Sequence, residues 1–284
     1  MKKLKTICVI AVISLSAVHV FSQSRVSELD YPYMQNYCWM RLAEIVPEVT
    51  DRVILPIGTV EAHGALALGA DNFIPVNIAG EIWDRCNALI APPINHGYTG
   101  ASISQFPGSI TVRPEVLEEY IYDVLKDLVR SGFRNVLIIN GHGGNTEPAN
   151  SAMTRLHHET AAHFMVVNWW EMGWNVVNEV YGMKAQQSGH GDLEEAALVI
   201  SRDAGLLDRE MVDRLGRENI SKERVGQGIT LLPAWSTSML PESGAGYYDF
   251  DVSKAQEYTR RKAELIADIF LEAVERWEMM ESWK

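Results

Sequence analysis

Six side chains that can bind metal ions or move protons fall in three short segments of this 284-residue sequence. The segments are PIGTVEAHGALALGADN at positions 56–72, INGHGGNTEP at 139–148 and SGHGDLEEAALVI at 188–200. The side chains are Glu61, His63, Asp71, His142, His190 and Glu195. A lone histidine is usually structural or exposed, but three acids and three histidines in such segments favour a shared site. Imidazole and carboxylate ligands suit Zn and Mn, with Fe as a further candidate.

This combination of residues favours metal-assisted hydrolysis over the alternatives. A carboxylate such as Asp71 can bridge two ions, and such a pair lowers the pKa of a water and polarises the bond that it attacks. The GxSxG motif of serine hydrolases is absent. The glycines around His142 could also form an anion-binding loop, but neither GxGxxG nor GxxxxGK[ST] is present. The acids at 192–195 could simply favour the start of a helix.

The elements that must position these residues alternate between strands and helices. Predicted strands are RVILPIG (52–58), ALIAPP (88–93), NVLIIN (135–140) and HFMVVNWW (163–170). Predicted helices cover 73–86, 114–132, 146–161, 193–205 and 254–277. Ile74, Ile78, Ile82 and Trp83 should share one face of the first of these helices. The second should begin at Pro114, end at Gly132 and bury Val116, Tyr120, Val124, Leu125 and Leu128.

Continuous apolar strands alternating with helices predict an α/β fold with a mainly parallel central sheet that is covered by helices on both faces. In such sheets, ligands bind outside the carboxyl ends of the strands. Glu61 and His63 follow the first strand, and His142 follows the third. His190 and Glu195 come at a longer distance after the fourth strand. The candidate site therefore falls where the fold class places a ligand.

The first 22 residues are predicted to be a secretory signal peptide. MKKLK is basic, TICVIAVISLSAV is apolar, and VFS precedes Gln23 as a small-residue cleavage site. A single transmembrane anchor is the weaker alternative, because the apolar run is shorter than the roughly 20 residues that a span needs. The protein is therefore predicted to be periplasmic or secreted, with no membrane attachment after removal of the leader. Residues 23–284 are interpreted as one domain, because no repeat or linker interrupts them.

The charge of the processed chain excludes some partners. Removing the three lysines of the leader from 25 basic residues leaves 22 against 37 acidic residues, a net charge of −15. Such a charge repels phosphate backbones, so nucleic acid is not an expected partner. Cys38 and Cys86 remain, and they could pair in an oxidising compartment or stay as two buried thiols.

The motifs resemble those of the creatininase (creatinine amidohydrolase) family. LPIGTVEAHGALALGAD, GASISQFPGSITVRPEVL, VLIINGHGGN and SGHGDLEEAAL occur in the order and approximate spacing of that family, over roughly residues 45–200. The resemblance implies a three-layer α/β/α sandwich, a homo-oligomer that is often a hexamer, and a site for two divalent ions of the Zn and Mn type. It implies a small-molecule substrate.

The resemblance also implies a role for each residue. One ion would be bound by Glu61, Asp71 and His142, and the other by His63, Asp71 and Glu195. His190 would be free to protonate the leaving group, so His190 and Glu195 are the candidate catalytic residues. Which of Glu194 and Glu195 is the ligand depends on the phase of the helix, because neighbouring helical residues point about 100° apart.

The chain departs from the family in ways that bear on substrate and ligands. HGALALGAD is one residue shorter than the common HGPHLPLGTD, which affects where Asp71 should lie, and Gly144 stands where creatininase proper carries a ligand Glu. Asp192 adds a carboxylate beside the site. Creatinine is therefore a poor candidate substrate. The leading hypothesis is a metal-dependent amidohydrolase of small cyclic or amide-containing molecules. Cleavage of a ring C–C bond of a keto-sugar or keto-inositol, or a non-catalytic exported binding protein, are the alternatives.

Overall fold

The computed structural model describes residues 29–182, 190–215 and 249–281. Its centre is a four-stranded sheet of β1 (Arg52–Ile57), β2 (Leu89–Ile90), β3 (Asn135–Asn140) and β4 (His163–Asn168). The strands are ordered β2-β1-β3-β4, and every pairing is parallel. The register aligns the last residues of three strands, because Ile57 pairs with Asn140 and Asn140 pairs with Asn168. The segments that leave these strands therefore start from one edge of the sheet.

The described helices are α1 (Trp39–Ile45), α2 (Ala70–Cys86), α3 (Gly100–Ile103), α4 (Pro114–Arg130), α5 (Thr146–Glu159), α6 (Trp174–Tyr181), α7 (Leu193–Ile200), α8 (Arg209–Leu215) and α9 (Val252–Glu281). Seven of them form two layers on opposite faces of the sheet. Helices α2, α6, α7 and α9 contribute to one apolar cluster, and α1, α4 and α5 contribute to the other.

Side-chain alternation along the strands explains why two cores form. Ile54 of β1 lies in the cluster on the α2–α9 side, whereas Val53 and Leu55 lie in the cluster on the α4–α5 side. Successive side chains of a strand point to opposite faces of the sheet. Since both faces are covered, every position of β3 can be buried, which is why NVLIIN has no polar alternation in its middle. The predicted three-layer α/β/α architecture is confirmed.

Most predicted helix boundaries are within four residues of those of the structure, but α7 ends at Ile200 and not at residue 205, and one buried face was wrong. Ile74, Ile78 and Ile82 are buried in α2 as expected. In α4, however, Val116 and Tyr120 are 44% and 51% exposed, and the buried face is formed by Leu117, Ile121, Tyr122, Leu125 and Leu128. The amphipathic pattern of this helix contains apolar residues on both sides of its true buried stripe. Helical spacing alone does not distinguish the two phases.

The predictions about the N-terminal leader and the two cysteines have different outcomes. The proposed leader, residues 1–22, lies outside the described residues. None of the described helices combines the length and the apolar character needed to cross a bilayer. Cys38 and Cys86 are not paired in the structure; Cys86 is buried and Cys38 is exposed. The expectation of two buried thiols therefore holds for Cys86 alone.

The observed buried face of α4 predicts that two side-chain truncations lower the free energy of unfolding by different amounts. Leu125→Ala removes a fully buried side chain and should lower the free energy of unfolding by about 2–5 kcal/mol. Val116→Ala on the same helix should change it by no more than about 0.5 kcal/mol. Chemical denaturation followed by circular dichroism measures both. Equal costs would contradict the observed phase.

Candidate metal centre

The six predicted residues come from four parts of the fold that meet at the carboxyl edge of the sheet. Glu61 and His63 lie in the segment that follows β1, and His142 follows β3. Asp71 is in the first turn of α2. His190 precedes α7, and Glu195 is in its first turn. The structure brings all six together, as the following distances show.

Asp71 lies at the centre of the group, between two imidazoles. Its Oδ1 is 2.8 Å from His63 Nε2, and its Oδ2 is 3.0 Å from His142 Nδ1. The two oxygens of one carboxylate therefore face different partners, which is the arrangement a carboxylate needs to bridge two ions. The shortened first motif does not displace Asp71 from the group.

Gly141, directly after β3, leaves room for the backbone of Asp71. A Cβ added at Gly141 would collide with the carbonyl oxygen of Asp71. The start of α2 therefore passes directly against the end of the strand, which only glycine permits here.

The remaining side chains extend the group on both sides of Asp71. Glu61 Oε1 is 3.1 Å from His142 Nδ1, and Glu195 Oε2 is 3.7 Å from His63 Nε2. Two sets of three ligand atoms result, each set lying within 4.8 Å: Glu61, Asp71 and His142, and His63, Asp71 and Glu195. These are the two sets that the motifs imply. Glu61, His63 and His190 form a third set of the same compactness.

Backbone carbonyl groups hold all three imidazoles. The Nδ1–H of His63 donates to the oxygen of Glu61 (3.1 Å), and the Nε2–H of His142 donates to that of Tyr98 (2.9 Å). The Nε2–H of His190 donates to the oxygen of Ala62 (2.7 Å). In each ring the other nitrogen faces the carboxylates. A hydrogen bond at one nitrogen thus presents the other as a ligand, which is the usual arrangement around bound metals.

Burial argues that the carboxylates need a cation. Glu61 and Asp71 are 0% and 1% exposed, and both oxygens of Glu61 lack a hydrogen bond of good geometry from any described residue. Among the described side chains, only histidines lie within ion-pair distance of Glu61, Asp71 and Glu195. Buried charges are normally paired or bound to metals. The oxygen and nitrogen donors present fit one or two divalent ions of the Zn or Mn type.

The pKa values show how the metal-free group balances its charge. Burial alone would lower the pKa of His63, but the nearby carboxylates of Asp71 and Glu195 outweigh it and raise that pKa to about 10. Burial would likewise lower the pKa of His142, but the carboxylates of Asp71 and Glu61 beside its Nδ1 outweigh it and raise that pKa to about 10. Burial would raise the pKa of Asp71, yet His63 and His142 hold it well below its usual value. Burial raises the pKa of Glu195.

Helix phase separates Glu194 from Glu195. Glu195 Oε2 faces His63 and accepts a hydrogen bond from the backbone N–H of Gly191. Glu194 turns away toward α9, where the Tyr258 hydroxyl donates to its Oε1. Asp192, the additional carboxylate, is the N-cap of α7, and its Oδ1 accepts the Glu194 N–H at 3.1 Å. The structure thus places Glu195, and not Glu194, beside the candidate ligands.

The structure also explains the departure at Gly144. A Cβ at that position would collide with the carbonyl oxygen of Tyr98, the same oxygen that holds His142. A glutamate therefore does not fit there without a shift of the backbone. Glu195 of α7 supplies a carboxylate on the other side of His63.

A cavity of about 340 Å³ opens beside these residues. Its lining comprises Asp71, Gly141, His142, Gly143, Trp169, Trp170, His190, Asp192, Glu194 and Glu195. Trp169 is almost fully buried in the apolar cluster on the α2–α9 side and Trp170 packs against that cluster, so both tryptophans belong to the core as well as to the cavity lining. The volume suits a small molecule.

Sequence reasoning missed the residues that support the group from behind. Asn145, at the N-cap position of α5, uses its side chain to join two loops: its Nδ2–H donates to Gly58 O, and its Oδ1 accepts the Tyr98 N–H. Asn140 accepts the His142 N–H through Oδ1. Tyr258 and Lys262, far along the chain, contact Glu194. Asn140, a polar residue at the end of the apolar strand β3, was the one sequence feature that could have indicated these supporting residues.

A parallel α/β/α fold with acids and histidines clustered at its carboxyl edge suits a metal-dependent hydrolase. The sequence profile of the creatininase family, described as creatinine amidohydrolase, matches residues 35–277. The chain belongs to the creatininase family. The predicted family and the amidohydrolase class are therefore confirmed.

Individual relatives differ in what they act on. A creatinine amidohydrolase of Pseudomonas putida is 26% identical over 56% of this chain and 67% of its own length. A 3-dehydro-scyllo-inosose hydrolase of Thermotoga maritima is 30% identical over 39% of this chain and 36% of its own length. A mycofactocin precursor peptide peptidase of Mycolicibacterium smegmatis is 30% identical over 38% and 45%. The chain thus matches less than half the length of the last two.

Solved creatininase structures share the fold. A manganese form of creatininase superposes with a TM-score of 0.68 at 19% identity, covering 84% of this chain and 98% of that one. A mutant of the Zn-Zn type superposes with a TM-score of 0.71 at 20% identity, covering 86% and 99%.

The raised histidine pKa values predict that metal uptake releases protons. At pH 7, His63 and His142 of the metal-free protein are protonated, because their pKa values are about 10. A divalent ion needs the neutral imidazole, so its binding should release up to about two protons per chain and weaken as the pH falls. Isothermal titration of Zn²⁺ in two buffers with different ionisation enthalpies measures this. An apparent binding enthalpy that does not depend on the buffer would contradict it.

Proposed function

We propose that this protein hydrolyses a small cyclic or amide-containing molecule with the help of two divalent ions. The observation that carries this proposal is the shared Asp71 carboxylate, whose two oxygens lie 2.8 and 3.0 Å from imidazole nitrogens on opposite sides. Membership of the creatininase family and the adjacent cavity support the same reaction class.

Each ion would have three protein ligands. Glu61, Asp71 and His142 would bind one ion, and His63, Asp71 and Glu195 the other. Zn and Mn are the favoured metals, because related structures include both forms. Two such ions would lower the pKa of a water and polarise the carbonyl group of the substrate.

We propose that His190 moves a proton on the cavity side. Its Nε2–H is held by the carbonyl oxygen of Ala62, so the proton that its imidazolium can give up is at Nδ1. Its ring stacks on that of His63 with 4.1 Å between centroids, and its side chain is 20% exposed. We propose that His190 Nδ1–H protonates the departing nitrogen as the C–N bond breaks. The backbone bond and the stack keep the ring in that orientation.

A keto-inositol is the second candidate substrate class. The observation that favours it is the 30% identity to the 3-dehydro-scyllo-inosose hydrolase. A cavity with two tryptophans beside carboxylates can accommodate a ring that carries hydroxyl groups. The same ligand sets would serve a ketone in place of an amide.

Export and assembly complete the proposal. We propose that residues 1–22 are removed on export, that residues 23–284 form one domain acting outside the cytoplasm, and that the chain forms a homo-oligomer. N-terminal sequencing of the protein secreted or released from the periplasm tests the cleavage. A mature chain that still begins at Met1 would contradict it.

Asp71→Ala should abolish both metal occupancy and turnover. The substitution removes the one carboxylate common to both ligand sets and leaves two imidazoles without their partner. Elemental analysis of the natively purified protein should give about two ions per wild-type chain and almost none for the variant. Asp123→Ala, which removes an exposed acid from α4, is the matched control and should keep both ions. A fully metallated, fully active Asp71→Ala protein would refute the bridging role.

Substrate profiling separates the remaining candidates. Cyclic amides, N-formyl compounds, short peptides and keto-inositols should be assayed with the metal-loaded enzyme and with His190→Gln. Turnover of an amide that His190→Gln lowers by about 10²–10⁴-fold, with metal content unchanged, supports the proposed acid. Loss of metal in that variant would instead make His190 a ligand. A wild-type chain that binds no ion would favour the non-catalytic binding protein.

A further inference from the structure

A fully buried lysine lies behind the wall of the candidate site. Lys262 of α9 has no exposed surface, and its Nζ is 3.4 Å from Glu194 Oε1. The same Nζ lies 5.4 Å from the ring centroids of both Trp169 and Tyr258. Lysine is almost never fully buried unless its charge is paired. The ammonium group thus sits between two aromatic rings with Glu194 as its one carboxylate partner among the described residues.

The partners of Lys262 belong to the pocket. Glu194 and Trp169 both line the 340 Å³ cavity, whereas Lys262 does not. Tyr258, one turn earlier on α9, donates its hydroxyl to the same oxygen of Glu194 that faces Lys262. Two side chains of α9 therefore fix one residue of the first turn of α7 from the side opposite the cavity.

The geometry of α7 connects this contact to Glu195. Glu194 and Glu195 are consecutive, so their side chains project about 100° apart around the helix axis. One projects to α9 and the other to His63. Any rotation of the first turn that brought Glu194 toward water would swing Glu195 away from His63 and Asp71. A buried carboxylate without its cationic partner has a strong reason to make such a movement.

We propose that Lys262 is a positioning residue: by pairing with Glu194 it holds α7 in the phase that points Glu195 at the site beside His63 and Asp71. This inference rests on the two-ion site proposed above, and it assigns that site a dependence on the C-terminal helix. Tyr258 assists by donating to the same carboxylate. Neither residue contacts the proposed ions or the substrate.

A positional role and a purely electrostatic role of Lys262 predict different changes in metal affinity for the two single variants. If Lys262 acted only through its charge, Lys262→Met would remove a positive charge near the site and tighten binding of a divalent ion, while Glu194→Gln would weaken it. If the pair sets the phase of α7, both single variants leave one buried charge unpaired, and both weaken binding. The double variant K262M/E194Q removes both charges together and should recover most of the loss.

The experiment is a Zn²⁺ competition titration against a chromophoric chelator, with metal-edge anomalous diffraction to assign each ion. Lys262→Met and Glu194→Gln should each weaken the ion bound by His63, Asp71 and Glu195 by about tenfold, and leave the ion at Glu61 and His142 unchanged. Thr259→Val is the matched control on α9: Thr259 is buried, and its hydroxyl donates to the Ala255 carbonyl of the same helix. It should bind both ions as the wild type does.

Opposite signs for the two single variants, equal weakening of both ions, or unchanged binding would each overturn the proposal. Should Lys262→Met fail to fold, Tyr258→Phe decides, because it keeps both charges and removes one hydroxyl. Selective weakening of the Glu195 ion supports the role of the pair, and unchanged binding overturns it. A wild-type protein that binds no Zn²⁺ would be a failure of the proposed function, whereas a wild type with two ions and a silent Lys262→Met would be a failure of this inference alone.

Discussion

The contact on which the site depends is the buried carboxylate of Asp71 between the imidazoles of His63 and His142. Its position brings together a loop after β1, a loop after β3 and the first turn of α2. Because the group is fully buried, its charge must be balanced by protons on the histidines or by bound cations. The two states exclude one another at each imidazole. Protons and metal ions therefore compete for the ring nitrogens that face Asp71, and the fold must accommodate either one.

The rest of the architecture can be understood as the support for that contact. Parallel strands in register end at a common edge, so the loops of β1 and β3 begin side by side. Gly141 lets α2 start directly against the strand end. Two separately packed apolar layers hold the sheet between them. A close-packed interior of this kind fixes polar groups at its border more precisely than a loop alone could.

Much of the fold was predictable from the sequence because its signals are local. Continuous apolar runs marked β1 and β3, and helical spacing located α2 and α4 within a few residues. The buried face of α4 was not predictable, because Val116 and Tyr120 follow the same spacing as the true core positions. Only the packing of the helix on the sheet decides between two apolar stripes. The family motifs carried the grouping of Glu61, His63, Asp71 and His142, whereas the choice of Glu195 over Glu194 needed the helix phase. Lys262 had no local signal, since a lysine in an amphipathic helix is normally expected in water.

All three imidazoles of the site are oriented by main-chain oxygens, at Glu61, Ala62 and Tyr98. An oxygen of the peptide group is present whatever the side chain, so replacing Ala62 or Tyr98 by another residue leaves the acceptor in existence. What the rings require is the course of the backbone, not the identity of its residues. Sequence drift at positions 62 and 98 can thus be extensive while the chemistry persists, and a single inserted or deleted residue there would matter more than many substitutions.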